Sequence, residues 1–372
     1  MVSTALIAAE GSVGEIILAL ALLLVGIALI VKGGDFFVDA ASWIAEVSGL
    51  PQLLIGATVV SVATTLPELI VSIIATARGS EEIAVGNAVG SVVANLGLIM
   101  AISLFFMPGK VKRKDYLFKS AVLVIAAFNL LMIGLFGGMK DGNHVLSVGL
   151  GILILELFVL FVGENVLTAY RTLKQESPND LSPESSGANV AMTTGGSAAA
   201  NEGESAPEAE NANAPVKKDK KTVLINILKF IGGAAGIVGG AELLVSNGQK
   251  LALSAGVPEG VIAVTLVAIG TSLPELVTTI SAIVKKKASI SVGNILGANI
   301  LDMTLILPVC AMVSGGSLIF PRQSILFDLP FCLGLSLIAV VPMLITKKFH
   351  RWQGIALFVV YGVYLTLRIL YT

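Results

Sequence analysis

The sequence predicts an all-α polytopic membrane protein with ten transmembrane helices in two inverted-topology repeats of five. Three observations predict it. The chain of 372 residues is 55% hydrophobic and only 13% charged, with mean hydropathy +0.90, whereas a soluble domain carries about 25% charged residues. A polar and proline-bearing stretch occurs twice, its copies aligned without a gap at an offset of 207 residues. Lys and Arg gather on alternate connections between apolar runs, the regularity expected when a chain threads a bilayer repeatedly.

Each apolar run is long enough to span the hydrocarbon core, which needs roughly 20 residues of helix. The first five spans are placed at 13–46, 51–77, 82–107, 116–137 and 144–170, and the last five at 222–253, 258–284, 289–314, 324–346 and 350–371. An odd number of spans per half makes the second half enter the membrane in the opposite sense, the pattern of an inverted repeat with its site near the midplane. The domains expected are a first half over 1–171, with its repeated segment at about 50–107, and a second half over 222–372, with its copy at about 257–314. Between them, 172–221 reads as an acidic, disordered cytoplasmic linker: 175–216 is rich in Ser, Pro, Asn, Gly, Ala and Glu, has no Lys or Arg, and lacks the apolar residues that a core needs.

Sixteen Lys and Arg fall on the linker and on the connections after spans three, seven and nine, against four on the other side (Arg78, Lys140, Lys250 and Arg322). The positive-inside rule then puts the linker in the cytoplasm and both termini outside an inner or plasma membrane. The first apolar run, preceded by Glu10 and no basic residue, is expected to be a retained span. There is no basic stripe for nucleic acid, and Cys310 and Cys332 lie in apolar spans and imply no disulfide framework. The expected partners are inorganic cations and the lipid bilayer, and the chain is expected to work as a monomer. Lys32, Asp35 and Asp39 late in span one, and Glu242 at the matching place in span six, are expected to snorkel or pair locally.

The repeated stretch carries the chemistry. Residues 56–69 read GATVVSVATTLPEL and 86–98 read GNAVGSVVANLGL; 263–276 read AVTLVAIGTSLPEL and 293–305 read GNILGANILDMTL. An acidic residue at the centre of a span costs about 2.5–3.5 kcal/mol on insertion scales, so Glu68 and Glu275 call for compensation. Ser61, Thr64, Thr65, Glu68 and Ser72 share one helical face. Pro67 cannot donate to the carbonyl of Ala63, nor Pro274 to that of Gly270, so a helix break is expected at each proline, with a free carbonyl beside the polar face. Hydroxyls, carboxylates and carbonyls are hard oxygen donors, suited to Na⁺ or Ca²⁺. The second motif adds Asn87, Ser91 and Asn95 on one face, and Asn294 and Asp302 in the copy. The pairs Gly86/Gly90 and Gly293/Gly297 read as helix-packing GxxxG motifs, and Asn95 and Asp302 as central polar support. Spans two, three, seven and eight hold Glu68, Glu275 and Asp302 in their interiors but no Lys, Arg or His. These carboxylates must therefore be balanced by cations or protons, and a carrier that crosses only when loaded is an obligatory exchanger.

At these residues the sequence resembles the calcium/cation antiporter superfamily, in its sodium/calcium exchanger branch of prokaryotic type. The resemblance covers the two alpha-repeats, about 110 residues, and elsewhere only the number and order of spans. It implies a Ca²⁺ site on Thr64, Glu68, Thr271 and Glu275. The Na⁺ sites it implies fall on Ser61, Thr65, Glu68 and Ser91 in the first repeat and on Ala268 (through its carbonyl), Ser272 and Glu275 in the second. Two departures from the family's spelling stand out: the first copy reads ATTLPE rather than GTSLPE, and Ala298 stands where the family has serine. The expected function is secondary active antiport of Ca²⁺ against Na⁺ by alternating access, with Ca²⁺/H⁺ antiport as the alternative. No enzymatic activity and no cofactor are expected, only transported Ca²⁺ and Na⁺, or H⁺ in the alternative. An intramembrane hydrolase would need two acids sharing a proton, which glutamates flanked by threonines suit poorly; a passive channel would show no counterflow.

Overall fold

A computed structural model describes residues 13–140, 143–175, 219–254 and 272–370. Its helices follow the apolar runs: α1 (Val13–Ser48), α2 (Gln52–Ala77), α3 (Glu81–Phe106), α4 (Arg113–Phe136), α5 (Val148–Gln175), α6 (Lys220–Ser254), α7 (Leu273–Val284), α8 (Ala288–Val313), α9 (Ser324–Thr346) and α10 (Arg351–Leu370). The chain is thus an all-α polytopic membrane protein. Among the described residues eight of these helices are long and apolar enough to cross a membrane; α7 and α10 complete the order. The start of the span expected at 258–284 lies outside the described residues up to 271, as does 176–218 of the expected linker, whose two edges are taken up by the ends of α5 and α6.

The layers follow from composition. α3 and α8 carry small and branched apolar residues on all sides and are the innermost helices, whereas α1 and α6 are the outermost. One core cluster joins Val85, Val89 and Leu96 of α3, Leu123 and Leu130 of α4, Ile295 and Ile306 of α8 and Leu335 of α9. α1 and α6 pack along most of their lengths with backbones in close approach. A Cβ on Gly26 would lie 2.8 Å from the Gly240 carbonyl oxygen, and one on Gly233 2.8 Å from that of Gly33; only glycine leaves room for such an approach.

Short strands tie the connections together. Gly109–Lys110 pairs antiparallel with Lys348–Phe349, and Asn143–Ser147 lies between Gly138–Lys140 and Ser317–Ile319. Each pairing across the halves joins connections that the charge count assigns to one side of the membrane.

Four helices contain π-helical turns, which leave backbone groups off the regular ladder and often mark functional places. They occupy Gly56–Val60, Asn95–Met100, Asp302–Ile306 and Ser324–Asp328. Two of them begin at Asn95 and Asp302, the same place in each repeat. The helix of Ser61–Ala77 runs on through Pro67, so the break expected there is a correction: losing one backbone donor does not end a helix whose neighbouring bonds persist, and the irregular turn falls earlier, at Gly56–Val60. Pro274 sits in the first turn of α7, where a missing N–H costs nothing.

Candidate ion-binding site

The innermost helices bring the repeated motifs face to face. Gly293 and Gly297 of α8 lie against α2, where added Cβ atoms would be 2.5 Å from the Leu53 carbonyl oxygen and 2.5 Å from Ser61 Oγ. Both therefore serve the close packing expected of them. The surroundings that symmetry gives Gly86 and Gly90 fall within the undescribed 255–271.

This contact sets the polar face of α2 against the start of α7 and the middle of α8. Thr64 Oγ1 donates to Asn294 Oδ1 at 3.1 Å, and Thr65 Oγ1 approaches Glu275 Oε1 at 3.5 Å. Asn87 Nδ2 donates to the Glu68 carbonyl at 3.2 Å and to Ser72 Oγ at 2.9 Å, tying α3 to α2. Glu68, Glu275 and Asp302 are each 1% exposed and close enough for their charges to act on one another. Ser61, Ser91, Asn95 and Ser272 are buried with them.

The bonding is incomplete in a particular way. Both Glu68 carboxylate oxygens, both of Asp302, Glu275 Oε2, Ser91 Oγ, Asn95 Oδ1 and Ser272 Oγ are buried without a hydrogen-bond partner among the described residues. Buried polar atoms ordinarily find partners, and most of these are acceptors alone, so what they lack is a cation or a proton. No Lys, Arg or His forms an ion pair with the three acids among the described residues. Nor do three or more His, Cys, Asp or Glu side chains there converge on one metal position. Two glutamates with neighbouring hydroxyl oxygens are the donor set on offer, and Asp302 stands beside it.

The structure thus brings Thr64, Thr65, Glu68, Glu275 and Asp302 near one another, with Ser61 on the same face of α2, and buries Ser91, Asn95 and Ser272 in or beside the helices that carry them. Ala268 and Thr271 lie outside the described residues. Thr278 and Thr279, fully buried one turn beyond Glu275 with side-chain oxygens unpartnered among the described residues, escaped the sequence reading. Carrying the offset one turn further, from Ser72 to Thr279, would have found the second. Two polar pairs away from the site were also missed. Lys119, 3% exposed, meets Glu164 at 3.3 Å between α4 and α5. Asp328 accepts from Tyr364 Oη at 3.0 Å and pairs with Arg368 at 3.4 Å between α9 and α10. Their partners lie some 40 residues away in sequence, beyond any local pattern.

Two helical halves of opposite sense, closing on acids that have unpartnered oxygens and no basic partner among the described residues, define a membrane ion carrier of the inverted-repeat class. The family described as "Sodium/calcium exchanger protein" matches residues 18–165 and again 225–370, one match per half. The chain belongs to this sodium/calcium exchanger family, within the calcium/cation antiporter superfamily. It is 32% identical to the sodium/calcium exchanger MaX1 of Methanosarcina acetivorans over 92% of this chain and 96% of that one. It is 32% identical to the inner membrane protein YrbG of Escherichia coli over 81% and 82% of the two chains. A solved structure of the sodium-calcium exchanger NCX_Mj, soaked with 100 mM Na⁺ and 10 mM Sr²⁺, matches with TM-score 0.69 and 26% identity, covering 94% of this chain and 98% of that one.

Proposed function

We propose that the chain is a secondary active antiporter that exchanges Ca²⁺ for Na⁺ across the membrane by alternating access, through ten spans with both termini outside and the linker in the cytoplasm. The observation that carries the reading is that Glu68 and Glu275, one from each half, are buried near each other with oxygens unpartnered and no basic partner among the described residues. Ca²⁺ takes 6–8 oxygens. Thr64, Glu68, Thr271 and Glu275 supply its carboxylate and backbone oxygens. Ser61, Thr65, Ser91, the carbonyl of Ala268 and Ser272 complete Na⁺ positions that share the two glutamates. Shared ligands make the ions compete, and unbalanced carboxylates make the empty, ionised site poor at crossing; together these give exchange rather than leak. The names of MaX1 and of NCX_Mj, the latter solved with Na⁺ and Sr²⁺, support the choice of ions.

Ala298, fully buried at the place of the family's serine, favours a second reading, Ca²⁺/H⁺ antiport, because one hydroxyl ligand for Na⁺ is absent. Proteoliposomes loaded with Na⁺ and diluted into Na⁺-free medium separate the two: Na⁺-driven uptake of labelled Ca²⁺ is the result expected. Uptake that ignores Na⁺ and follows a pH gradient overturns it in favour of proton coupling.

A further inference from the structure

The turn after α2 and the turn after α7 are the same structure twice. Arg78 (φ −89°, ψ 4°) matches Lys285 (φ −85°, ψ 3°), and Ser80 (φ −97°, ψ 60°) matches Lys287 (φ −102°, ψ 57°). Between them Gly79 (φ 79°) and Lys286 (φ 56°) both take the left-handed conformation. Each residue lies 207 positions from its counterpart.

What the two turns touch is different. Lys285 Nζ meets the Asp39 carboxylate at 2.6 Å and that of Asp35 at 3.7 Å, and donates to the Asp35 carbonyl at 2.8 Å. Lys287 meets Glu46 at 3.5 Å. The turn after α7 is therefore fastened to the last part of α1 along one acidic face. α1 also lies close on α7, where a Cβ on Gly34 would come 2.7 Å from Ser281 Oγ. On the other side, the counterpart of Asp35 is Glu242 of α6, and the counterpart of Lys285 is Arg78. Both are exposed and form no ion pair among the described residues.

Alternating access in an inverted repeat moves one part against the other around a fixed site, and because the halves are related by sequence, an exchange of their conformations gives the other access state. The fastened turn then becomes the one after α2, and its partner becomes α6. We propose that Lys285 with Asp35 and Asp39, and Arg78 with Glu242, are two alternating latches: the first closes the face where α1 ends, the second closes the opposite face, and one molecule holds only one at a time. This rests on the alternating-access reading above. The first latch has two acids on Lys285 and a second pair on Lys287, and the other offers one Arg–Glu pair with Ser246 at the position matching Asp39. The state latched by Lys285 is therefore the resting one.

The test is chemical cross-linking of the full chain in proteoliposomes, read by mass spectrometry of the joined peptides. The native Cys310 and Cys332 are buried and stay in place. Asp39→Cys with Lys285→Cys, and separately Arg78→Cys with Glu242→Cys, should each be joined by a short bis-maleimide. In the chain carrying all four substitutions, no molecule should hold both bridges. Because the pairs are partly solvent-exposed and individually weak, Lys285→Gln should raise joining of the Arg78→Cys/Glu242→Cys pair by about two- to fivefold. Absence of the second bridge while the first forms overturns the proposal, as does one molecule carrying both. Mutually exclusive bridging in a chain that fails to couple Ca²⁺ to Na⁺ upholds the latches and sinks only the choice of ions.

Discussion

The first half carries its glutamate in the middle of a continuous helix, whereas the second presents its own in the opening turn of one. Glu68 has α-helix on both sides and a backbone carbonyl held by Asn87. Glu275 follows a proline that starts α7 and leans on Thr65 of the other half. Asn87 donates to Ser72 of its own half, and Asn294 accepts from Thr64 of the other. Near-identical motifs thus place their two glutamates at different points of their helices, so likeness of sequence does not by itself give likeness of local structure. A similar inequality separates the turn after α7, which is ion-paired to α1, from the turn after α2, whose Arg78 forms no ion pair among the described residues.

The two glutamates are nonetheless expected to be equivalent in what matters, charge at the shared position. Glu68→Gln and Glu275→Gln keep shape but remove the anion, and each should lower Na⁺-driven Ca²⁺ uptake by at least about 100-fold, the loss expected when a charged ligand of a hard cation is deleted. Size-exclusion chromatography should still show a folded protein. If one variant transports normally, the halves are not partners. Next in size is Gly297→Ala, whose new Cβ would lie 2.5 Å from Ser61 Oγ and 2.7 Å from the Ala57 carbonyl oxygen. Overpacking of this kind costs about 1–3 kcal/mol, so thermal unfolding in detergent should fall by several degrees. Gly239→Ala, with nothing within 4 Å of its Cβ, should leave it unchanged.

Two smaller substitutions sharpen the contrast between halves. Asp302→Asn gives the second half the residue that the first has at Asn95, and since the amide keeps the shape and an acceptor oxygen, Ca²⁺ uptake should stay within about threefold. A loss as deep as that of Glu68→Gln would make Asp302 a ligand. Ala298→Ser restores the hydroxyl that Ser91 supplies on the other side. One added oxygen contact is worth about 1 kcal/mol, so the apparent Na⁺ affinity in competition with Ca²⁺ should tighten by about fivefold.

The span boundaries were legible because a bilayer permits only helices and closed barrels and imposes their length; α3, α4, α8 and α9 start and stop within a few residues of the expected places. The candidate site stood out in the sequence because Glu68 and Glu275 break the apolar pattern twice at one offset. The π-helical turns were not, since nothing in the type of residue at 56–60 or 302–306 departs from a helical run; tertiary packing imposes them. Pro67 misled for a related reason. A proline marks where a backbone bond is missing, and whether the helix breaks there is decided by its neighbours. The pairs Lys119–Glu164 and Asp328–Arg368 depend on which helices become adjacent, which hydropathy alone does not encode.

The central claim is that one travelling cation is shared by an acid from each half. Calcium-binding calorimetry on the purified chain, with Na⁺ as competitor, puts it to the test in a single series with Glu68→Gln and Glu275→Gln. The account predicts that Na⁺ displaces Ca²⁺ from the unaltered chain and that either substitution alone removes the Ca²⁺ heat. Retention of the original affinity by either variant would contradict it.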